Sequence, residues 1–249
     1  MPPAVLITGA ARRIGATLAR AFAGAGWHVA VHVHRADAEA EDFVAGLPSA
    51  ELVECDLLDA DAATAMVEAL AARLGDWRML VNSAAVFRLD TAAGIDPATF
   101  AEAVRVNAET PARMAQAFLA HARAKGGRRV IQFLDQKLAN PNPDFFSYTM
   151  AKHALAATVR MLAMAQAQSE DRIYGLAPGA MLPSFDQASD EHEISGRMNL
   201  LERLTDPQEL AEAALWLAEG WLASGETLFV DSGQHLLAQP RDVLYLARR

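Results

Sequence analysis

Apolar residues follow two rhythms along this chain. Short unbroken runs at residues 4–7, 27–33, 51–54, 78–81, 129–134, 172–177 and 226–230 have the length and flanks of buried strands. Longer stretches at 14–25, 37–45, 59–74, 97–123, 146–168 and 207–219 carry apolar side chains every three or four positions, the mark of amphipathic helices. Capping residues sharpen several boundaries. Asp96 followed by Pro97 predicts the start of the long helix at 97, and Gly75 is placed to end the helix before it. Residues 181–205 are polar and aperiodic, and read as an irregular lid. Strand and helix alternate from one end to the other, with no linker, repeat or low-complexity segment. That predicts one α/β domain over residues 1–249, with a parallel sheet covered on both faces. In such sheets ligands sit beyond the carboxyl ends of the strands, so the residues just after each strand carry the chemistry.

After the first strand comes Thr8-Gly9-Ala10-Ala11-Arg12-Arg13-Ile14-Gly15. Gly9 permits a tight turn, and Gly15 lets the next helix lie close to the strand. The opening N–H groups of that helix, with its positive dipole end, then suit a pyrophosphate. The second strand ends in His32-Val33-His34-Arg35, where an NAD site usually places an acid for the ribose 2′-hydroxyl. Arg12, Arg13 and Arg35 gather positive charge there, which fits a 2′-phosphate and hence NADPH. A competing reading gives Asp37 the ribose role, although it stands where the next helix needs an N-cap. Cys55-Asp56-Leu57 follows the third strand. Asp56 is a candidate acceptor for the adenine amino group, or simply a turn cap.

Charge and cysteine count narrow the partners. The formal net charge of −9 argues against a general nucleic-acid binder and, more weakly, against an anionic membrane surface. The one cysteine excludes an intrachain disulfide and a cysteine-based zinc site. His32 and His34 alternate on one strand face, but no third ligand accompanies them, so no metal is expected. With neither a signal-peptide pattern at the start nor an apolar run of about 18 residues, the expected setting is the cytoplasm.

Ser147-Tyr148-Thr149-Met150-Ala151-Lys152 sets a tyrosine and a lysine one helical turn apart on one face. A nearby ammonium favours tyrosinate, which would make Tyr148 a usable acid. The chain has only three lysines, Lys125, Lys137 and Lys152, among 22 basic residues, so the lysine beside this tyrosine is informative. Asn82-Ser83-Ala84 follows the fourth strand, where backbone can pass a nicotinamide ribose. Asn107 sits inside a helix despite poor helix propensity, which points to a kink or a bound water. Pro178-Gly179 follows the sixth strand and is placed to wall the nicotinamide.

Taken in order, Thr8-Gly9…Gly15, Asn82-Ser83-Ala84, Asn107, Tyr148…Lys152 and Pro178-Gly179 resemble the short-chain dehydrogenase/reductase family over essentially the whole chain. The resemblance implies a Rossmann-like doubly wound parallel sheet of order 3-2-1-4-5-6-7 and a homotetramer. It also implies hydride transfer from a nicotinamide, with Tyr148 as proton donor, Lys152 on the nicotinamide ribose and Asn107 fixing a relay water. Departures from the common pattern are specific. Arg13 stands at the usual middle glycine of the turn, and Asp135 replaces the usual serine. Tyr174 occupies a common asparagine position, and Ala180-Met181 replaces the threonine often found after Pro-Gly. Arg13, the His-x-His-Arg strand end and Asp135 resemble the pteridine reductase branch, in which Phe87 matches an aromatic that stacks on a pterin. An imine such as N5=C6 of a 7,8-dihydropterin needs a proton at nitrogen, which an Asp bonded to Tyr148 can supply or relay; the same carboxylate would raise the tyrosine pKa. The expected activity is NADPH-dependent reduction of a dihydropterin of the dihydromonapterin, dihydrobiopterin or dihydrofolate type. The alternatives are a ketoreductase acting on a small carbonyl or quinone, and an inactive NADPH-binding sensor. Apolar residues after position 240 predict a docking tail, placed against a neighbouring subunit.

Overall fold

The computed structural model describes residues 1–165, 168–184 and 187–248. Among them the sheet has seven strands: β1 (Ala4–Ile7), β2 (His28–Val33), β3 (Ala50–Glu54), β4 (Trp77–Asn82), β5 (Arg129–Phe133), β6 (Arg172–Pro178) and β7 (Thr227–Val230). They pair in parallel in the order β3-β2-β1-β4-β5-β6-β7, as the resemblance implies. The strand runs are apolar on both faces because both are covered. Val5, Ile7, Val29, Val31, Met79 and Val81 point to one side, where they meet α1 (Arg13–Gly24) through Leu18 and Phe22, and α8 (Pro207–Ala218) through Leu210 and Leu217. Leu6, Ala30, Leu80 and Val130 face the other, against α3 (Ala60–Arg73), α5 (Thr110–His121) and α6 (Phe146–Ala165).

Several boundaries follow their capping chemistry. Asp37 accepts from the Ala40 N–H at the start of α2 (Ala38–Ala45), and Asp96 accepts from the Thr99 N–H at the start of α4 (Pro97–Val104). Two expectations need correction. The helix expected over 97–123 is not uniform, since residues Arg105–Glu109 form a π turn between α4 and α5. The stretch 181–205 contains a helix, α7 (Ser189–Gly196), which has almost no apolar stripe of its own and packs on α9 (Val243–Ala247). Residues 166–167, in the predicted end of α6, and residues 185–186, in the predicted lid, lie outside the described residues. Among the described residues no helix is long and apolar enough to cross a membrane.

Candidate active site

At the carboxyl end of β1 the backbone turns on Gly9, whose φ is +65°. A side chain there would also press on Ala84, whose Cα lies 3.2 Å from the position of an added Cβ. Gly15 is more constrained. A Cβ would sit 2.2 Å from the Gly9 carbonyl oxygen, so helix α1 can approach the turn this closely only without a side chain. The N-cap residue Arg12 makes no side-chain cap, and the first turn, beginning Arg13-Ile14-Gly15, carries no acid. Its N–H groups are thus left for an anionic ligand. Arg13 occupies the family's glycine position and pays for it with φ +52°, a left-handed backbone that disfavours a Cβ.

The arginines separate. Arg12 bridges Asp37 and Glu39 at 2.7 Å each, at the start of α2. Arg35, two residues past the end of β2, is exposed. Arg13 turns the other way and donates to the Pro183 carbonyl at 2.8 Å. This corrects its expected place among the 2′-phosphate cluster. His32 is also corrected. It is buried beneath the turn, where Nδ1 accepts from the Gly9 N–H at 3.1 Å and Nε2 contacts the Cys55 carbonyl at 3.0 Å. With both nitrogens held by protein, it shapes the turn from below and has none left for a ligand. Burial lowers its pKa to about 4, which keeps the ring neutral and Nδ1 an acceptor. His34 is exposed, 3.6 Å from Asp56. Asp56 accepts from the Leu58 N–H, the turn-cap reading, while remaining exposed. Leu57 is buried in the core, and its carbonyl accepts from Thr110.

Asn82 ends β4 and is buried, with its amide N–H₂ donating to the Pro111 carbonyl and to Gln132. Ser83 and Ala84 are half-buried beside it, and the Ala84 N–H is held by Thr8 Oγ1 at 2.9 Å. Asn107 lies within the π turn and is buried. Its amide accepts from the Val86 N–H at 2.9 Å and donates to the Val86 carbonyl at 2.8 Å. The kink expectation thus holds, whereas the side chain clamps the β4 loop instead of reaching toward Tyr148. Pro178 and Gly179 close β6, and a Cβ on Gly179 would meet Gln234 Oε1 at 2.5 Å. Tyr174 is fully buried with its hydroxyl on the Leu222 carbonyl, a core residue away from this cluster.

At the centre, the Tyr148 hydroxyl donates to Asp135 Oδ2 at 3.0 Å. Asp135 Oδ1 meanwhile accepts from the Lys137 backbone N–H at 2.8 Å, so one carboxyl both caps its turn and holds the phenol. Lys152 is 3% exposed, donates to the Phe133 carbonyl at 2.6 Å, and places its ammonium 5.6 Å from the Tyr148 ring centroid. Burial lowers the Lys152 pKa to about 8. Burial and the Asp135 carboxylate push Tyr148 well above its usual value, and burial raises Asp135. Of the two opposed effects expected on Tyr148, that of the carboxylate prevails: at neutral pH the phenol keeps its proton and donates it to Asp135. Phe87, 41% exposed, stacks on Phe145 at 3.9 Å and meets the Tyr148 ring edge-on at 4.7 Å. It is a surface aromatic facing the reactive phenol, not a core residue.

The tail docks, as expected, and the surface it meets here is on its own chain, with Arg241 on Asp144, Asp242 on Lys137, Arg248 on Glu191, and Tyr245 parallel to Phe145 at 6.1 Å. Lys137, Phe145 and Tyr245 were not singled out as site residues in the sequence. The aromatic pair Phe145-Phe146 beside Ser147-Tyr148 was the available signal. Among the described residues no group of three or more His, Cys, Asp or Glu is placed to hold a metal ion.

Comparison with known proteins agrees with this arrangement. A family model described as enoyl-(acyl carrier protein) reductase matches residues 9–235. FolM alternative dihydrofolate reductase 1 from Brucella canis, solved in complex with NADP, superposes with a TM-score of 0.87 at 31% identity, covering 96% of each chain. Pteridine reductase 1 of Leishmania tarentolae is 27% identical over 94% of this chain and 96% of its own. The 7alpha-hydroxysteroid dehydrogenase of Escherichia coli is 30% identical over 92% of each. A shared fold, a model matched over most of the length and relatives aligned nearly end to end leave one placement: this chain belongs to the short-chain dehydrogenase/reductase family.

Proposed function

We propose that this chain uses NADPH to reduce the N5=C6 bond of a 7,8-dihydropterin. The observation that carries the reading is the hydrogen bond from Tyr148 to Asp135 at 3.0 Å, with Phe87 edge-on to the same phenol. A carbonyl substrate calls for a neutral donor beside the tyrosine. An imine nitrogen must gain a proton as hydride reaches carbon, and a carboxyl group bonded to the phenol can replenish it. The exposed ring of Phe87 offers a flat partner for a pterin.

The residues present fit the dinucleotide. Gly9 and Gly15 let the turn and the start of α1 pack closely against each other, and Ile14 and Gly15 lie in the uncapped first turn that suits the pyrophosphate. Arg12, His34 and Arg35 would hold the 2′-phosphate, with Asp56 and the Leu57 backbone along the adenine. Asn82, Ser83, Ala84 and Lys152 would follow the nicotinamide ribose, and Pro178 and Gly179 the nicotinamide. Bound NADPH supplies the hydride that reaches C6. The chain's own part is the proton. Tyr148 presents it at the hydroxyl, Asp135, once it has itself taken up a proton, would return one to the phenol along the same hydrogen bond, and Lys152 fixes the end of β5 through the Phe133 carbonyl. As the C=N π bond breaks, C6 takes the hydride and N5 the proton. A homotetramer in the cytoplasm is part of the same reading, and sizing chromatography tests the assembly.

Purified protein given NADPH and 7,8-dihydromonapterin is expected to oxidise the NADPH, seen in its near-ultraviolet absorbance, and to release the tetrahydropterin. Dihydrofolate is expected to serve as a weaker substrate. Absence of turnover with every dihydropterin would reject the reading. A carbonyl substrate is the second reading, favoured by relatives such as the granaticin polyketide synthase putative ketoacyl reductase 2 of Streptomyces violaceoruber, 28% identical over 94% of this chain. An inactive sensor would be favoured by a Tyr148→Phe variant whose every activity matches the parent.

A further inference from the structure

The C-terminal residues are held by five separate contacts, four of them to the turn and loop beside the reactive cluster. Arg241 and the Asp242 N–H both bind the buried Asp144 carboxylate, at 2.7 and 2.8 Å. The Asp242 carboxylate pairs with Lys137, which is 4% exposed. Tyr245 lies parallel to Phe145 with an interplanar angle of 23°, and Phe145 in turn stacks on Phe87. Arg248 pairs with Glu191 on α7, tying the tail to the segment that follows β6. Asp242 also caps α9 by accepting from the Leu244 N–H at 3.0 Å.

These contacts converge on groups already in the site. Lys137 is two residues from Asp135, its own N–H binds Asp135 Oδ1, and its ammonium lies 5.0 Å from the Phe145 ring centroid. A buried lysine this close to a buried carboxylate would draw it into its charged form. Asp242 gives that lysine another counter-ion. We propose that residues 241–248 are a built part of the substrate site, with Tyr245 a specificity-determining wall residue and the Asp242–Lys137 pair a positioning device for Asp135. The aromatic row Phe87–Phe145–Tyr245 then selects a flat heteroaromatic substrate over a saturated one. That choice of substrate rests on the dihydropterin reading, whereas the positioning of Asp135 does not.

The charged and titratable groups facing Asp135 are Tyr148 and Lys152 from α6, Lys137 from its own turn and Asp242 from the tail. The Asp144–Arg241 pair stands behind them. Asp242 raises both Asp135 and Tyr148, and Lys137 lowers Asp135. Removing the Asp242 charge therefore makes the Asp135–Tyr148 pair easier to deprotonate.

The test begins with the parent enzyme on dihydromonapterin and on a panel of small ketones. A parent active only on ketones rejects the pterin reading, and the variants are then measured on those ketones. Asp242→Asn keeps the cap, because Asn caps as well as Asp. Its descending limb of kcat/KM is expected about one pH unit lower than the parent's. Asp242→Asn combined with Lys137→Met removes both charges and is expected to return the limb toward the parent position. This double variant also serves if the unpaired lysine keeps the single variant from folding. Tyr245→Ala is expected to raise KM for the dihydropterin roughly two- to tenfold with kcat nearly unchanged, and Tyr245→Phe to restore it. NADPH binding, followed by fluorescence titration, should stay at the parent value in every variant. An unshifted limb in Asp242→Asn, or one that stays shifted in the double variant, overturns the positioning role. An unchanged KM in Tyr245→Ala overturns the wall.

Discussion

Replacing Lys152 with Met should make this protein more stable and nearly inactive. Lys152 is buried and its pKa falls from 10.5 to about 8. At roughly 1.4 kcal/mol per unit, holding the ammonium charged at neutral pH costs about 3 kcal/mol of folding free energy. The direction follows from the lowered folded value. The cost is complete below about pH 8 and is relieved as pH rises from there toward 10.5, where the unfolded chain also loses the proton. Methionine keeps the stem and removes the charge. It also removes the donor to the Phe133 carbonyl, a loss of about 1 kcal/mol. The net expectation is a gain of about 2 kcal/mol at neutral pH that shrinks toward zero or reverses near pH 10. Urea unfolding of the cofactor-free protein at the two pH values measures it, provided the m-value is unchanged. Turnover should fall by a factor on the order of 100 or more. A variant less stable than the parent at neutral pH, or a difference that ignores pH, would refute the claim that this ammonium is held against its solvation.

Three further outcomes test other parts of the site. Gly15→Ala places a Cβ against the Gly9 carbonyl and should cost about 1–3 kcal/mol of stability, with weaker NADPH binding in fluorescence titration. His32 is kept neutral, with its pKa lowered from 6.5 to about 4, so its contribution is lost as pH falls through that range. His32→Gln, which can still accept from Gly9, should therefore flatten the fall of the thermal unfolding midpoint over that interval, and an equally steep fall would count against it. Asp135→Ser should lower turnover of dihydropterins and raise that of small ketones while the circular dichroism stays that of the parent; a uniform loss on both would remove Asp135 from substrate choice.

The parallel sheet covered on both faces and both glycines of the turn were legible because each depends on residues close in sequence or on a repeating pattern. The strand order and the Tyr148–Asp135 partnership came instead from the family resemblance, since thirteen residues separate the two side chains. What escaped depends on contacts over long separations. Nothing near Arg13 announces that its side chain crosses to Pro183, and nothing near Asp242 announces Lys137. His32 was placed among the cofactor contacts because a histidine at a strand end reads the same whether its nitrogens face out or in. The polar stretch 181–205 hid α7 because that helix takes its support from α9 and not from an apolar stripe. Which of the two opposed effects on Tyr148 prevails was not legible, because it depends on the carboxylate touching the hydroxyl while the ammonium lies over the ring.

The π turn at Arg105–Glu109 amounts to one residue more than an α-helix needs at that point. A single-residue deletion there would produce a smoother helix and a worse protein. Every side chain on one side of the deletion would swing by about 100° relative to the other, and the Asn107 amide would leave Val86. The loop after β4, which carries Phe87, would lose the bracket that sets its height above the sheet. Regularity of the helix and placement of the aromatic are thus in direct competition, and the sequence has settled it with a surplus residue.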